Sequence, residues 1–191
     1  MIKTSPFEMV FIIRDLMEQK WMDSALSLGF SHAYPLDPAR LTALPAVWDM
    51  CAADKCHAYG KNWTCPPHIG TLEKCQAEMH SYRHGILLQT VGHLKDTFDA
   101  ETYMETEAQH NRMFREFSRL LRQAYPQALC LGAGGCRICG RCAWPEPCRF
   151  PEQALSSMEG YGLFVTQVCR DCGAQYHHGE KTVTYSACVL F

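Results

Sequence analysis

The sequence predicts an α/β layered domain: a small central, mixed sheet flanked by helices, with a cysteine-rich lobe at one end. Three observations carry this. Helical periodicity near 7–28, 71–83 and 100–124 alternates with short apolar strand patterns near 30–36, 85–91, 128–131 and 182–190. The crossovers between those strands differ in length, which predicts mixed strand directions. Two cysteine-rich loops, 47–70 and 132–159, carry few apolar residues of their own. With 191 residues and no long linker-like run, 1–191 reads as one domain.

Each element has a local reason. Val10, Ile13, Met17, Trp21 and Leu28 fall near helical spacing, and Lys20 with Asp23 marks a break into two shorter helices. Phe30 to Leu36 follows as a strand, and Pro35, Asp37 and Pro38 turn the chain into 39–46. Thr71 caps a helix running to Arg83, with Glu73 opposing the helix dipole favourably. Gly85 to Val91 is the clearest internal strand, ended by Gly92. Ala100 to Ala124 is the longest helix: His110, Phe114, Phe117, Leu121 and Ala124 form its apolar stripe, and Pro126 closes it. Arg112, Arg115, Arg119 and Arg122 lie largely off that stripe, as a solvated face or a docking surface for an acidic redox partner. Ala128 to Leu131 is a short strand leading into Gly132. Pro151 suits the first turn of a helix over 152–159, whose free N–H groups would favour an anionic group near Cys148. A short helix or strand passes through Cys169 and Cys172, and Thr182 to Phe191 alternates as a last strand.

Composition bounds the function. The 18 basic and 20 acidic side chains give a formal charge of -2, which recommends neither nucleic acid nor an anionic membrane as a partner. Twelve cysteines would be a disulfide framework in a secreted chain, but the apolar run from Met9 to Ile13 is too short for an export signal or a membrane span. The expectation is therefore a cytoplasmic protein with reduced thiols.

The cysteine spacing is metal chemistry. Cys136, Cys139 and Cys142 recur every third residue, and Cys148 follows. Successive C-x2-C steps wrap thiolates around one cubane, whereas zinc usually takes two C-x2-C pairs from separate knuckles. The reading is an iron-sulfur cluster, with a zinc-held loop or reduced buried thiols as the alternatives. Cys51, Cys56 and Cys65 form a second set in a loop where Gly60 permits a sharp turn and Pro66 and Pro67 stiffen the chain. Gly132 to Gly135 lack a nucleotide-binding pattern and read as room for backbone to approach a cluster. Cys130 and Cys188 lie in apolar strands and Cys75 on the helix after Thr71, all three reading as core residues, and His110 reads as a structural one. The pair Cys169 and Cys172 stays open between ligand, redox pair and packing.

Taken together, Cys51, Cys56 and Cys65-Pro66-Pro67, then Gly132-x-Gly134-x-Cys136-x2-Cys139-x2-Cys142, Cys148-Arg149-x-Pro151-Glu152 and Ser157-Met158-Glu159 resemble the cysteine-rich predicted metal-binding proteins of prokaryotes, a family of unknown function. The resemblance spans most of the chain and implies metal binding, with iron-sulfur as the expected form. The resemblance implies histidine in many relatives at the position that Phe150 holds here.

The functional expectation is an iron-sulfur lobe with two [4Fe-4S] clusters, held by Cys51/Cys56/Cys65 and Cys136/Cys139/Cys142/Cys148, passing single electrons to or from a redox partner protein. Two alternatives stand beside it. An open iron would act on a small-molecule substrate as a Lewis acid, in dehydration or desulfuration. Zinc would make the lobe a stapled interaction module. Two cubanes need eight ligands and the motifs supply seven cysteines, so one position is short: at Cys136/Cys139/Cys142 if Cys148 serves the other cluster, or, the favoured reading because Cys148 can fold back locally, at the first loop, where Cys75, His57 and His68 are the nearest protein candidates.

Overall fold

The computed structural model describes residues 6–191, with side chains from Leu16 onward. The elements run α1 (Pro6–Ser27), β1 (His32–Pro35), α2 (Pro45–Ala52), α3 (Leu72–His80), β2 (Gly85–His93), α4 (Ala100–Ala124), β3 (Leu129–Gly132), β4 (Ser156–Ser157), α5 (Val165–Asp171) and β5 (Thr182–Leu190). The strands make one sheet in the order β1-β2-β5-β3-β4. β3 and β4 pair in parallel and the other pairs are antiparallel, so the sheet is mixed, as the sequence predicts.

Strand alternation sorts the core into two faces. Ile86, Leu88, Cys130, Ala187 and Val189 pack with Phe114, Phe117 and Leu121 of α4 and Ala25 of α1. Leu87, Leu131, Cys188 and Leu190 pack with Cys75 and Met79 of α3 and Val168 and Cys169 of α5. Helices therefore cover both sides of the sheet, in three layers. Each fully buried leucine or phenylalanine contributes about 1.5–3 kcal/mol, which makes β5, paired on both edges, the centre of the fold. Gly92 lets α4 lie close on β2, because a Cβ there would collide with Thr106 Oγ1. Among the described residues, no helix is long and apolar enough to cross a membrane.

Thr71 caps α3 as expected, its hydroxyl accepting from Lys74 N at 3.2 Å. Other expectations need correction. α1 runs unbroken past Lys20 and Asp23, both on its exposed side. There Gln19 Nε2 donates to Asp23 Oδ1 and Ser27 Oγ donates to Asp23 O, each at 2.8 Å. The side chains of Val10 and Ile13 lie outside the described residues. No helix forms over 152–159. Gln153 N and Ala154 N both donate to Phe150 O, one turn that does not continue, because Ser156–Ser157 is drawn into extended pairing with Leu131 and Gly132. The cluster-facing helix N-terminus expected near Cys148 is therefore absent. α2 also differs from the loop expected over 47–70: it begins at Pro45, a residue suited to a first helical turn, and carries Cys51 in its last turn.

Candidate metal centre

Cys51, Cys56 and Cys65 come from α2 and the irregular segment after it. Cys51 sits near the end of α2, which is tied to the turn after β4: Trp48 Nε1 donates to Gly160 O at 2.8 Å, and Cys51 Sγ lies 3.9 Å from Glu159 O. Asp54, with a positive φ of 50°, organises the next turn, its carboxylate accepting from Tyr59 N at 3.0 Å and from Lys61 Nζ. Gly60, at φ 63°, closes that turn by donating from its N–H to Pro66 O at 2.9 Å. Cys56 is exposed and Cys65 is buried.

The second set follows β3, whose end at Gly132 delivers the chain into 133–150. Cys136, Cys139, Cys142 and Cys148 line one cavity, which Asn62, Trp63 and Thr64 of the first loop also line. All four are partly exposed.

The two loops are latched together by contacts between residues 72 to 83 positions apart. Asn62 Nδ2 donates to Cys136 O at 3.2 Å, and Cys136 N donates to Thr64 Oγ1 at 3.4 Å. Thr64 N and Thr64 Oγ1 in turn donate to Asn62 Oδ1 at 3.0 and 3.1 Å. Trp63 Nε1 donates to Glu146 O at 2.8 Å, and the His68 ring lies between Trp63 and Trp144, with centroids 5.4 and 5.1 Å away. Gly135 allows the closest approach: a Cβ there would sit 3.2 Å from Cys65 Sγ. The glycine of the expected cluster approach thus makes room for a thiol of the other loop.

Electrostatics of the thiols follow from this crowding. Burial, then the neighbouring Cys56, Cys51 and Cys136, push the Cys65 thiol up to about 11. Burial, then Cys56 and Glu159, raise Cys51. Such thiols give up their protons when a cation offsets the repulsion, so metal binding here would release protons. Among the described residues, no three His, Cys, Asp or Glu side chains are gathered closely enough to hold one metal ion. Thiol donors around the cavity are of the soft kind that suits a transition metal.

The remaining candidates lie elsewhere. Cys75 is 1% exposed in the core beneath α3, where burial raises its thiol to about 11. His57 is exposed at a left-handed position, φ 58°, beside Asp54. His68 Nε2 is buried without a hydrogen-bond partner. Cys130 and Cys188 are fully packed in their strands, and Cys169 and Cys172 pack into the core on the α5 side, Cys169 accepting from Gln89 Nε2 at 3.6 Å. His110 is buried, its Nδ1 2.8 Å from Thr90 Oγ1.

Sequence reading passed over the latch residues Asn62, Trp63, Thr64 and Trp144. Asn62-x-Thr64 has the side chain-to-backbone turn chemistry that signals an ordered loop, and tryptophans inside a polar loop signal a packing partner. Which partner they meet is a long-range fact invisible locally.

No curated protein and no solved structure matches the chain. Residues 35–191 match the family described as predicted metal-binding protein (DUF2284), a stretch that contains both latched cysteine loops. On that match over most of its length, the chain belongs to this family of predicted metal-binding proteins.

Proposed function

We propose that the chain holds two [4Fe-4S] clusters, one on Cys136, Cys139, Cys142 and Cys148 and one on Cys51, Cys56 and Cys65, and exchanges single electrons with a partner protein. The observation that carries this is the latch. It joins two separate thiol sets so closely that Gly135, next to Cys136, lies against Cys65 Sγ, 3.2 Å from where a Cβ would stand. Clusters bound there would supply one-electron chemistry at thiolate-ligated iron. Two adjoining centres give an electron a short route from one to the other.

The chain's own residues do the rest. The latch fixes the loop backbones before metal arrives, so less ordering accompanies binding. Ile138, Ala143, Phe150 and Ala154 provide the apolar part of the wall around the second set, which limits water at the thiolates and so tunes potential. A groove along α4 gathers Arg112, Arg115, Arg119 and Arg122 and adjoins the Gly132–Ile138 segment. Arg119 is paired with Glu116 at 2.7 Å, and Arg122 donates to Glu152 O at 3.0 Å. Arg112 and Arg115 are left to face a partner, and an acidic redox protein complements them.

A zinc-stapled module fits less well. Zinc usually takes two C-x2-C pairs from separate knuckles, a pattern that the continuous run Cys136-x2-Cys139-x2-Cys142 does not follow. The second reading, Lewis-acid chemistry at an open iron, draws on the first set having only three cysteines and on the exposure of Cys56. The deciding experiment is visible and paramagnetic resonance spectroscopy of anaerobically purified protein. A brown chromophore that bleaches with dithionite and gives signals of two interacting centres supports the reading. Colourless protein with bound zinc overturns it.

A further inference from the structure

We propose that Glu159 is the non-cysteine ligand of the Cys51/Cys56/Cys65 site, its carboxylate taking the iron for which that loop has no fourth cysteine. The inference rests on the two-cluster reading above.

Glu159 sits in a firmly held turn. Ser157 is paired with Gly132 in the parallel ladder, and Met158, fully buried, donates from its N–H to Gly132 O at 3.1 Å. Gly160 N donates to Ser157 Oγ at 2.9 Å, and Trp48 of α2 donates from Nε1 to Gly160 O at 2.8 Å. The residues on both sides of Glu159 are therefore fixed, and the same contacts bring α2 against it. Its own carbonyl lies 3.9 Å from Cys51 Sγ, across 108 residues of sequence.

Its side chain then poses a problem that a metal would solve. Glu159 Oε2 is buried and has no hydrogen-bond partner. A carboxylate oxygen removed from water without a donor is unfavourable, and a buried one is normally paired or bound to a cation. Glu159 also adjoins the Cys51 thiol, so a carboxylate and a thiol that can ionise are presented together, a pair suited to a common cation. Iron accepts carboxylate oxygen as well as thiolate.

The rival positions are less apt. Cys75 is enclosed in the α3-side core, and His57 is exposed beside Asp54. His68 also has a buried ring nitrogen without a partner, but its ring packs, tilted, against Trp63 of one loop and Trp144 of the other. It therefore enters the test as the competitor.

An oxygen-ligated iron is the one that oxidation removes most readily. Ferricyanide takes one electron from the [4Fe-4S]2+ core, Fe2+ then leaves with the carboxylate set free, and [3Fe-4S]+ remains on the three thiolates. The experiment compares wild-type protein with E159C, E159Q and H68Q, measuring iron per chain and the paramagnetic spectrum during ferricyanide titration. Wild-type and H68Q should each convert one cluster to the three-iron form. E159C, with thiolate in place of carboxylate, should keep all its iron, and E159Q should be isolated already short of about one iron per chain. E159C guards against E159Q simply folding poorly. Unchanged behaviour in both Glu159 variants, or an effect confined to H68Q, overturns the proposal while leaving two clusters standing. Wild-type protein without iron and sulfide overturns the two-cluster reading and this inference with it.

Discussion

Asn62→Ala should loosen both cysteine loops at once, although Asn62 belongs to only one of them. Asn62 is 8% exposed and takes part in three hydrogen bonds: to Cys136 O at 3.2 Å, from Thr64 N at 3.0 Å and from Thr64 Oγ1 at 3.1 Å. At about 1 kcal/mol net for each, and with water regained by the partly exposed Cys136, the loss is about 2–3 kcal/mol. That shifts the local opening equilibrium roughly 30- to 150-fold. Hydrogen exchange followed by mass spectrometry reads it directly, in peptides spanning 60–68 and 133–142. The Thr64→Val variant removes the acceptor of Cys136 N, and the double variant should be less destabilised than the sum because the bonds form one network. Faster exchange confined to 60–68, with the Cys136 segment unchanged, would refute the latch.

Three further outcomes follow from the same structure. Cys139→Ser and Cys56→Ser should each lose iron and protection in their loops, whereas Cys188→Ser, fully buried in β5, should keep its iron; equal iron in all three would contradict the ligand assignment. Burial holds His110 down at about 4, so its stabilising contribution is complete above its ordinary value of 6.5 and disappears as pH falls through 4. In metal-free protein that amounts to about 3 kcal/mol by urea unfolding, and His110→Gln should flatten the profile over that window. Arg112→Glu with Arg115→Glu should slow electron exchange with an acidic ferredoxin about tenfold or more at low salt, and lessen its dependence on ionic strength. An unchanged rate would place docking elsewhere.

Elements whose reasons are local were legible in the sequence. The α4 stripe of Phe114, Phe117 and Leu121, the Thr71 cap and the β5 strand each declare themselves within a few residues, and the structure has all three, although β5 is buried on both faces from Ser186 to Leu190 instead of alternating. Elements decided at a distance were not. Pro151 starts a turn as its chemistry dictates, but Ser156 and Ser157 find a ladder partner in β3, and that pairing wins over local helix formation. The same limit applies at the candidate site. The seven cysteines stand out by spacing alone, while the residues that bring them together do not. Asn62 meets Cys136 and Trp63 meets Glu146 across more than 70 residues. Glu159 is unremarkable in sequence beyond its place in the family motif, and becomes notable only once α2 packs against its turn.

The central claim is that these loops hold two iron-sulfur clusters, and the most direct test is the iron and acid-labile sulfide content of anaerobically purified protein. Two [4Fe-4S] clusters predict about eight iron and about eight sulfide per chain. About four of each would mean that the latched loops share one cluster, and stoichiometric zinc without sulfide would contradict the account altogether.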